Sequence, residues 1–275
     1  MPDRTARVVS GRARVVREVR AAGPLMARLA APPTARGPWL TAVLNQGAAH
    51  RWSGRPVAVV VDGAPHDPPR AAGFLLVRRR GPLAVVELLG GSTRPLPGGR
   101  PTARLLARDD DAAELLAAGI VELLASLRGP VTLRLSGLPL GDPTIRALGS
   151  RLPTAEMANV RSTRLVDDLD AAGRVERSRD PRVVERLLPR FLDAEPDRRS
   201  RDFLRATARL HAALGQLEVA VLDADRGALL TLVDGTDRWP WLGIGADLGA
   251  EMGAPLVGLT VAPRAWPGLP WISPR

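Results

Sequence analysis

The segment running from Asp110 to Arg128 constrains this chain most. Leu116, Ile120, Leu123 and Leu127 recur along it at helical spacing. Asp109 or Asp110 can accept the free N–H groups at its start, Arg128 suits the negative end of its dipole, and Gly129-Pro130 stops it. A strand candidate, Val131–Ser136, follows at once. Three more precede the helix: Val57–Val61, Gly73–Arg78 and Leu83–Leu89, with turn signals at Asp62-Gly63 and Arg80-Gly81-Pro82. Connections this short predict an antiparallel meander. Strands, then a helix, then another strand predict an α+β fold with mixed rather than purely parallel pairing.

The remaining punctuation divides the chain into three. Residues 1–36 read as a flexible, basic, Arg-rich leader, in which eight arginines stand against Asp3 and Glu18. A helix there would gather Val8, Val15 and Val19 on one side. Pro32-Pro33 and Gly37-Pro38 lead into a first module over 37–169. It opens with a short helix at Trp39–Leu44 and contains a Gly/Pro-rich loop from Gly90 to Pro101. A short strand at Arg104–Ala107, a helix from Asp142-Pro143 and a strand near Met157–Val166 complete it. A partial second module over 170–275 holds helices from Asp180 and over 200–214, a hairpin of Leu217–Leu222 with Ala228–Val233, and a strand at Leu256–Val261. Its tail is rich in Trp and Pro.

Composition removes several chemistries. The 275 residues include no cysteine, which excludes disulfides, thiolate nucleophiles and Cys-based metal sites. All 39 basic side chains are arginine, so Schiff-base chemistry on lysine is excluded as well. The net charge of +10 suits nucleic acid, an anionic membrane surface or an anionic ligand. Equally, Arg, Ala, Gly and Pro share GC-rich codons, and a GC-rich genome produces the same balance without selection for any such partner. No apolar run approaches the roughly 18 residues of a membrane span, and no secretory signal is present, so the expected compartment is the cytoplasm.

Three stretches carry a family resemblance. Arg55–Gly63 followed by Ala72–Val77, Leu133–Pro139 ahead of a helix, and Phe203–Leu210 followed by Leu217–Leu232 resemble the acyltransferase superfamily called GNAT. More narrowly they resemble its two-module branch of FemAB-type aminoacyltransferases and CelD/BcsL-type proteins. The resemblance implies a GNAT-like mixed sheet with flanking helices, followed by a partial second α+β module. It also implies N-acyl transfer, with acyl-CoA or aminoacyl-tRNA as the donor substrate, an amine or hydroxyl as acceptor, and no tightly bound cofactor. Typical members hold the acyl-CoA pyrophosphate at a helix start through an Arg/Gln-x-x-Gly-x-Gly/Ala sextet. Here Asp109-Asp110-Asp111 stands at that place and repels a pyrophosphate. The tyrosine general acid of many members is absent, since the chain has no Tyr.

Candidate site residues follow from these readings. In the Gly90–Pro101 loop, Gly98 and Gly99 allow close backbone approach, while Arg94 and Arg100 offer guanidinium forks for a donor phosphate; the plainer reading is a solvated loop. Glu87, on the strand where GNAT proteins often carry their base, is a candidate proton acceptor, although alternation sets it opposite Val86 and Leu88. His211, with Glu218 as its acidic neighbour, is the other; otherwise it is a core histidine. Arg201, Arg205 and Arg209, preceded by Arg198 and Arg199, form a stripe for nucleic acid or an acidic partner, or else a solvated face. His50 and His66 fall in loops and match no metal spacing, and no metal site is expected. Asp167, Asp168 and Asp170 read as an ion-paired linker near Arg161, Arg164 and Arg174. Trp239, Trp241, Trp266 and Trp271 read either as a partner surface or as cover for the core. Two functions stand: acyl or aminoacyl transfer, and non-catalytic binding of nucleic acid or an acidic protein through arginine-rich surfaces.

Overall fold

The computed structural model describes residues 5–49, 54–223, 226–245 and 249–263. A short strand β1 (Arg7–Ser10) leads into helices α1 (Arg12–Ala21), α2 (Gly23–Arg28) and α3 (Gly37–Ala49), then into a meander of β2 (Gly54–Val61), β3 (Ala71–Arg80) and β4 (Leu83–Leu88). The two-residue β5 (Leu106–Ala107) precedes α4 (Asp110–Ser126), β6 (Val131–Pro139), α5 (Pro143–Arg151) and β7 (Ala155–Leu165). A short α6 (Leu169–Ala172) opens the second half, followed by β8 (Val175–Ser178), α7 (Pro181–Ala194), α8 (Arg198–Ala213), the meander β9 (Leu217–Leu222), β10 (Gly227–Asp234) and β11 (Asp237–Gly245), and finally β12 (Ala250–Val261).

Apart from α6, the two halves begin alike. Each has a four-residue strand, then helices, then a three-stranded meander, and in each the short strand pairs antiparallel with the first strand of the meander. Aspartate starts the four helices α4, α5, α7 and α8, accepting backbone N–H groups at 2.8–2.9 Å through Asp109, Asp142, Asp180 and Asp197. Pro143 and Pro181 follow two of these caps, where the missing N–H costs nothing.

The α+β class and the mixed pairing expected from the sequence hold. Among the described residues, β4 with β6 is the parallel pair and every other ladder is antiparallel. The eight-stranded sheet runs β1-β2-β3-β4-β6-β12-β7, with β5 continuing alongside β3, and the four-stranded sheet runs β11-β10-β9-β8.

Two expectations about the ends of the chain change. The basic leader is part of the fold from Arg7 onward, because Val15 and Val19, four residues apart, turn one face of α1 into the core beside Leu25 and Met26. Val8 is not on that face; it lies exposed in β1. The last strand, placed by sequence order in the second module, instead crosses to the first sheet and inserts between β6 and β7. Its alternating Val257, Leu259 and Val261 complete the apolar layer of Leu133, Leu135 and α4.

Apolar residues of both sheets and of α1–α3, α7 and α8 form a single cluster. Trp39 stands within it, edge-on to Phe203 of α8 at 5.2 Å and to Trp241 of β11 at 5.4 Å. Trp39→Ala is expected to cost about 3–5 kcal/mol, measured by urea unfolding. Because its neighbours come from both halves, calorimetry should show a single transition moving down. Two transitions with only one displaced would contradict a shared core.

Candidate functional site

Neighbouring strands part at the parallel pair. Its ladder ends at Glu87 opposite Arg134, after which β6 runs on to Pro139 while β4 leaves the sheet. Crevices at such a divergence are where open α/β sheets usually take ligands. Here the chain fills the crevice itself. The amides of Thr102 and Ala103 both donate to the carbonyl of Gly137, at 2.9 and 3.0 Å. Gly137 has φ +72, and a Cβ there would stand 2.5 Å from Thr102 Oγ1. Just beyond, Arg104 donates to the Leu29 carbonyl. Asp142 lies buried at the same end, its carboxyl pushed up by burial, opposed by amides of α5 and Leu105 and by Arg104. The chain then rejoins the sheet as β5 against Ala71 and Ala72, and α4 starts with Asp109 already bound to the Ala112 amide. That hydrogen bond, with Arg108 and Arg70, holds the Asp109 carboxyl below its usual range.

The four loop residues proposed for a donor phosphate turn to separate partners. Gly98 and Gly99 lie against β7, where a Cβ would meet Thr163 O at 2.3 Å and Arg164 Cβ at 1.9 Å. The Gly99 carbonyl accepts from Ala254 N at 2.6 Å and from Ser162 Oγ at 2.9 Å. Arg94 donates to carbonyls of its own loop, Gly91 and Thr93. Arg100 pairs with Asp237 at 3.2 Å and lies 5.1 Å from the ring centroid of Trp239. Glu87 is half-buried, accepting from Ser92 Oγ at 3.0 Å and paired with Arg78 at 3.1 Å.

His211 and Glu218 are held apart by the sheet. Leu217 and Val219 pack into the cluster that contains α8, so alternation sends Glu218 to the opposite face. There it is nearly enclosed and meets Arg177, Arg179 and Arg238, and Asp167 joins through Arg177 and Arg238. Burial alone would raise both carboxylates; the arginines outweigh it and hold both below their usual range. Asp170 also binds Arg177, whereas Arg164 pairs with Glu251 and Arg174 with Glu176. His211 is buried 6.3 Å from the Trp39 ring, and burial pushes it down to about 4 against a small opposing effect of Gln216.

On α8, Arg205 pairs with Asp202 at 3.2 Å, Arg209 Nε donates to Glu185 at 2.9 Å, and Arg198 and Arg199 are exposed beside half-buried Arg201. His66 is exposed in the β2–β3 loop with φ +71. Trp241 donates to the Pro95 carbonyl at 3.1 Å and Trp239 is buried, so both cover the core. His50, Trp266 and Trp271 lie outside the described residues. Among the described residues no group of His, Asp and Glu is placed for a metal ion, and no helix is long and apolar enough to cross a membrane.

One feature escaped the sequence reading. Val183 and Leu187 of α7, with Val219 and Val221 of β9, floor a groove of about 960 Å³. Arg174, Arg186 and Arg190 stand around it, with Glu176 and Asp223 as the acids. No aromatic ring lines it. β8, along one side, ends its sheet, and among the described residues no strand pairs with its outer edge. On α7, Arg182, Arg186 and Arg190 follow the same four-residue spacing as the α8 stripe, and the latter two line the groove.

No family model matches the chain, and no curated protein matches it. Among solved structures it is similar to a tandem GNAT protein from the clavulanic acid biosynthesis pathway, solved without AcCoA. That similarity is 15% identity over 94% of this chain and 98% of the other, with a TM-score of 0.40.

The buried histidine gives a pH test. His211 is neutral when folded and takes up its proton near pH 6.5 when unfolded, so its contribution is complete above that pH and is lost as pH falls towards 4. Urea unfolding should show about 2 kcal/mol less stability at pH 5 than at pH 7 from this group. His211→Leu should flatten that slope; an unchanged slope would assign it elsewhere.

Proposed function

We propose that this chain is a binding protein on an acyltransferase-like scaffold, and that it holds an extended acidic polypeptide in the groove between α7, β8 and β9. The groove carries the reading. Its apolar floor suits alternate side chains of an extended segment, and its arginines suit carboxylates. Nucleic acid is disfavoured because single-strand recognition relies on aromatic stacking, and the groove has no ring.

Acyl transfer is the second reading, favoured by the parallel pairing of β4 with β6 around α4 and by Glu87 at the last rung. It requires residues 98–105 to withdraw from Gly137, and Asp109, Asp110 and Asp111 leave the start of α4 hostile to a phosphate.

Fluorescence anisotropy with a labelled alternating Val-Glu peptide separates the two. Saturable binding is expected, weakened about tenfold or more by combined Arg174→Ala and Arg186→Ala. A Val-Arg peptide binding equally well would sink the reading. In parallel, acetyl-CoA and free CoA should leave the melting temperature unchanged. A saturable rise abolished by Arg94→Ala and Arg100→Ala would instead favour transfer.

A further inference from the structure

The edges of the two sheets are not treated alike. β1 and β8 are edge strands of four residues each, and β11 carries Pro240. Such short or proline-bearing edges resist pairing with another chain. β7 is different. It ends the larger sheet, runs for 11 residues without proline, and pairs with β12 on one side alone among the described residues. Apart from Gly98 and Gly99, which lie against Thr163 and Arg164, and Gly149 of α5 near Met157, little packs on it, and most residues from Glu156 to Arg164 are exposed. Met157 is 60% exposed and Val160 56%, whereas Met252, 67% exposed, lies one strand in on β12 and away from the edge. Large apolar side chains at a long unpaired edge mark an association surface.

The sequence of β7 says what pairs with it. An antiparallel partner related by a two-fold axis normal to the sheet keeps faces matched, so each residue meets one of equal parity. About the strand midpoint, Val160 faces its own copy. Ala158 then faces Ser162, Asn159 faces Arg161, and Glu156 faces Arg164. Opposite charges meet twice, by symmetry, and no like charges are opposed. Centring one residue later, on Arg161, would set two guanidinium groups against each other. We propose that two copies of this chain pair edge to edge through β7, antiparallel about Val160, joining their eight-stranded sheets into one continuous sheet.

Because the chain contains no cysteine, a single introduced thiol can bond only to its own copy. Directly opposed residues bring Cβ atoms to about 4.5–5.5 Å, close enough for a disulfide after small adjustment. Val160→Cys should therefore give a covalent dimer under mild oxidation. Met157→Cys, whose copy lies about 20 Å away along the strands, should stay single on a non-reducing gel. Light scattering on a size-exclusion column should give twice the chain mass for the unaltered protein. Val160→Lys, which opposes like charges at the axis, should return it to the monomer, while Met252→Lys should not. A monomeric unaltered protein, equal crosslinking at positions 157 and 160, or a Val160→Lys variant that stays dimeric would each overturn the proposal.

Discussion

The indole of Trp39 holds the two halves of this protein to one another. It is buried on α3, meets a ring from α8 and a ring from β11, and lies beside Gly90, where the chain leaves the first meander. Both meanders present apolar faces to the same helices, and neither has another layer to bury them against on that side. A chain with three Phe and no Tyr has few large rings with which to fill such a space. Spending Trp39, Phe203, Trp239 and Trp241 on one cluster removes them from ligand recognition. The same contacts remove His211 from proton transfer, because the ring is enclosed among these aromatics and the Glu218 carboxylate belongs to the other face of the sheet.

The region where strands diverge follows a similar logic. An unfilled gap between β4 and β6 would leave the half-buried Gly137 carbonyl to water. Two amides from the inserted loop satisfy it. The loop that the sequence offered as a phosphate cradle is thus consumed internally, with its glycines pressed against β7 and its arginines turned to carbonyls, Asp237 and Trp239. Close backbone approach and forked cations are as useful for tying one's own chain as for holding a ligand, and residue type alone does not distinguish the two.

Legibility in the sequence tracked how local each signal was. The meander, α4 with its Asp109 cap, the hairpin of β9 and β10, and the α+β class all rest on neighbours within one element, and all were readable. β8 and β11 were not. β8 is four residues with Arg177 amid polar neighbours, and β11 opens with Asp237, Arg238 and Pro240. Their strand character comes from the ladders they join. In the leader, Gly11 and several valines lower helix propensity, and burial of Val15 and Val19 overrides it. Alternation sets Glu87 opposite Val86 and Leu88, whereas the Ser92 and Arg78 that hold it come from a loop and a neighbouring strand.

The crossing of β12 into the first sheet sets an order of assembly. During synthesis β6 and β7 emerge well before β12, and the whole second half must be made while the place between them stands vacant. The ladder that finally closes the sheet therefore joins residues distant in sequence, the kind of contact that slows folding. Until it forms, β6 and β7 each expose an unpaired edge to whatever else is nearby. A ribosome stalled within the second half would release a chain with most of its helices and meanders but an incomplete central sheet, a natural substrate for chaperones and proteases.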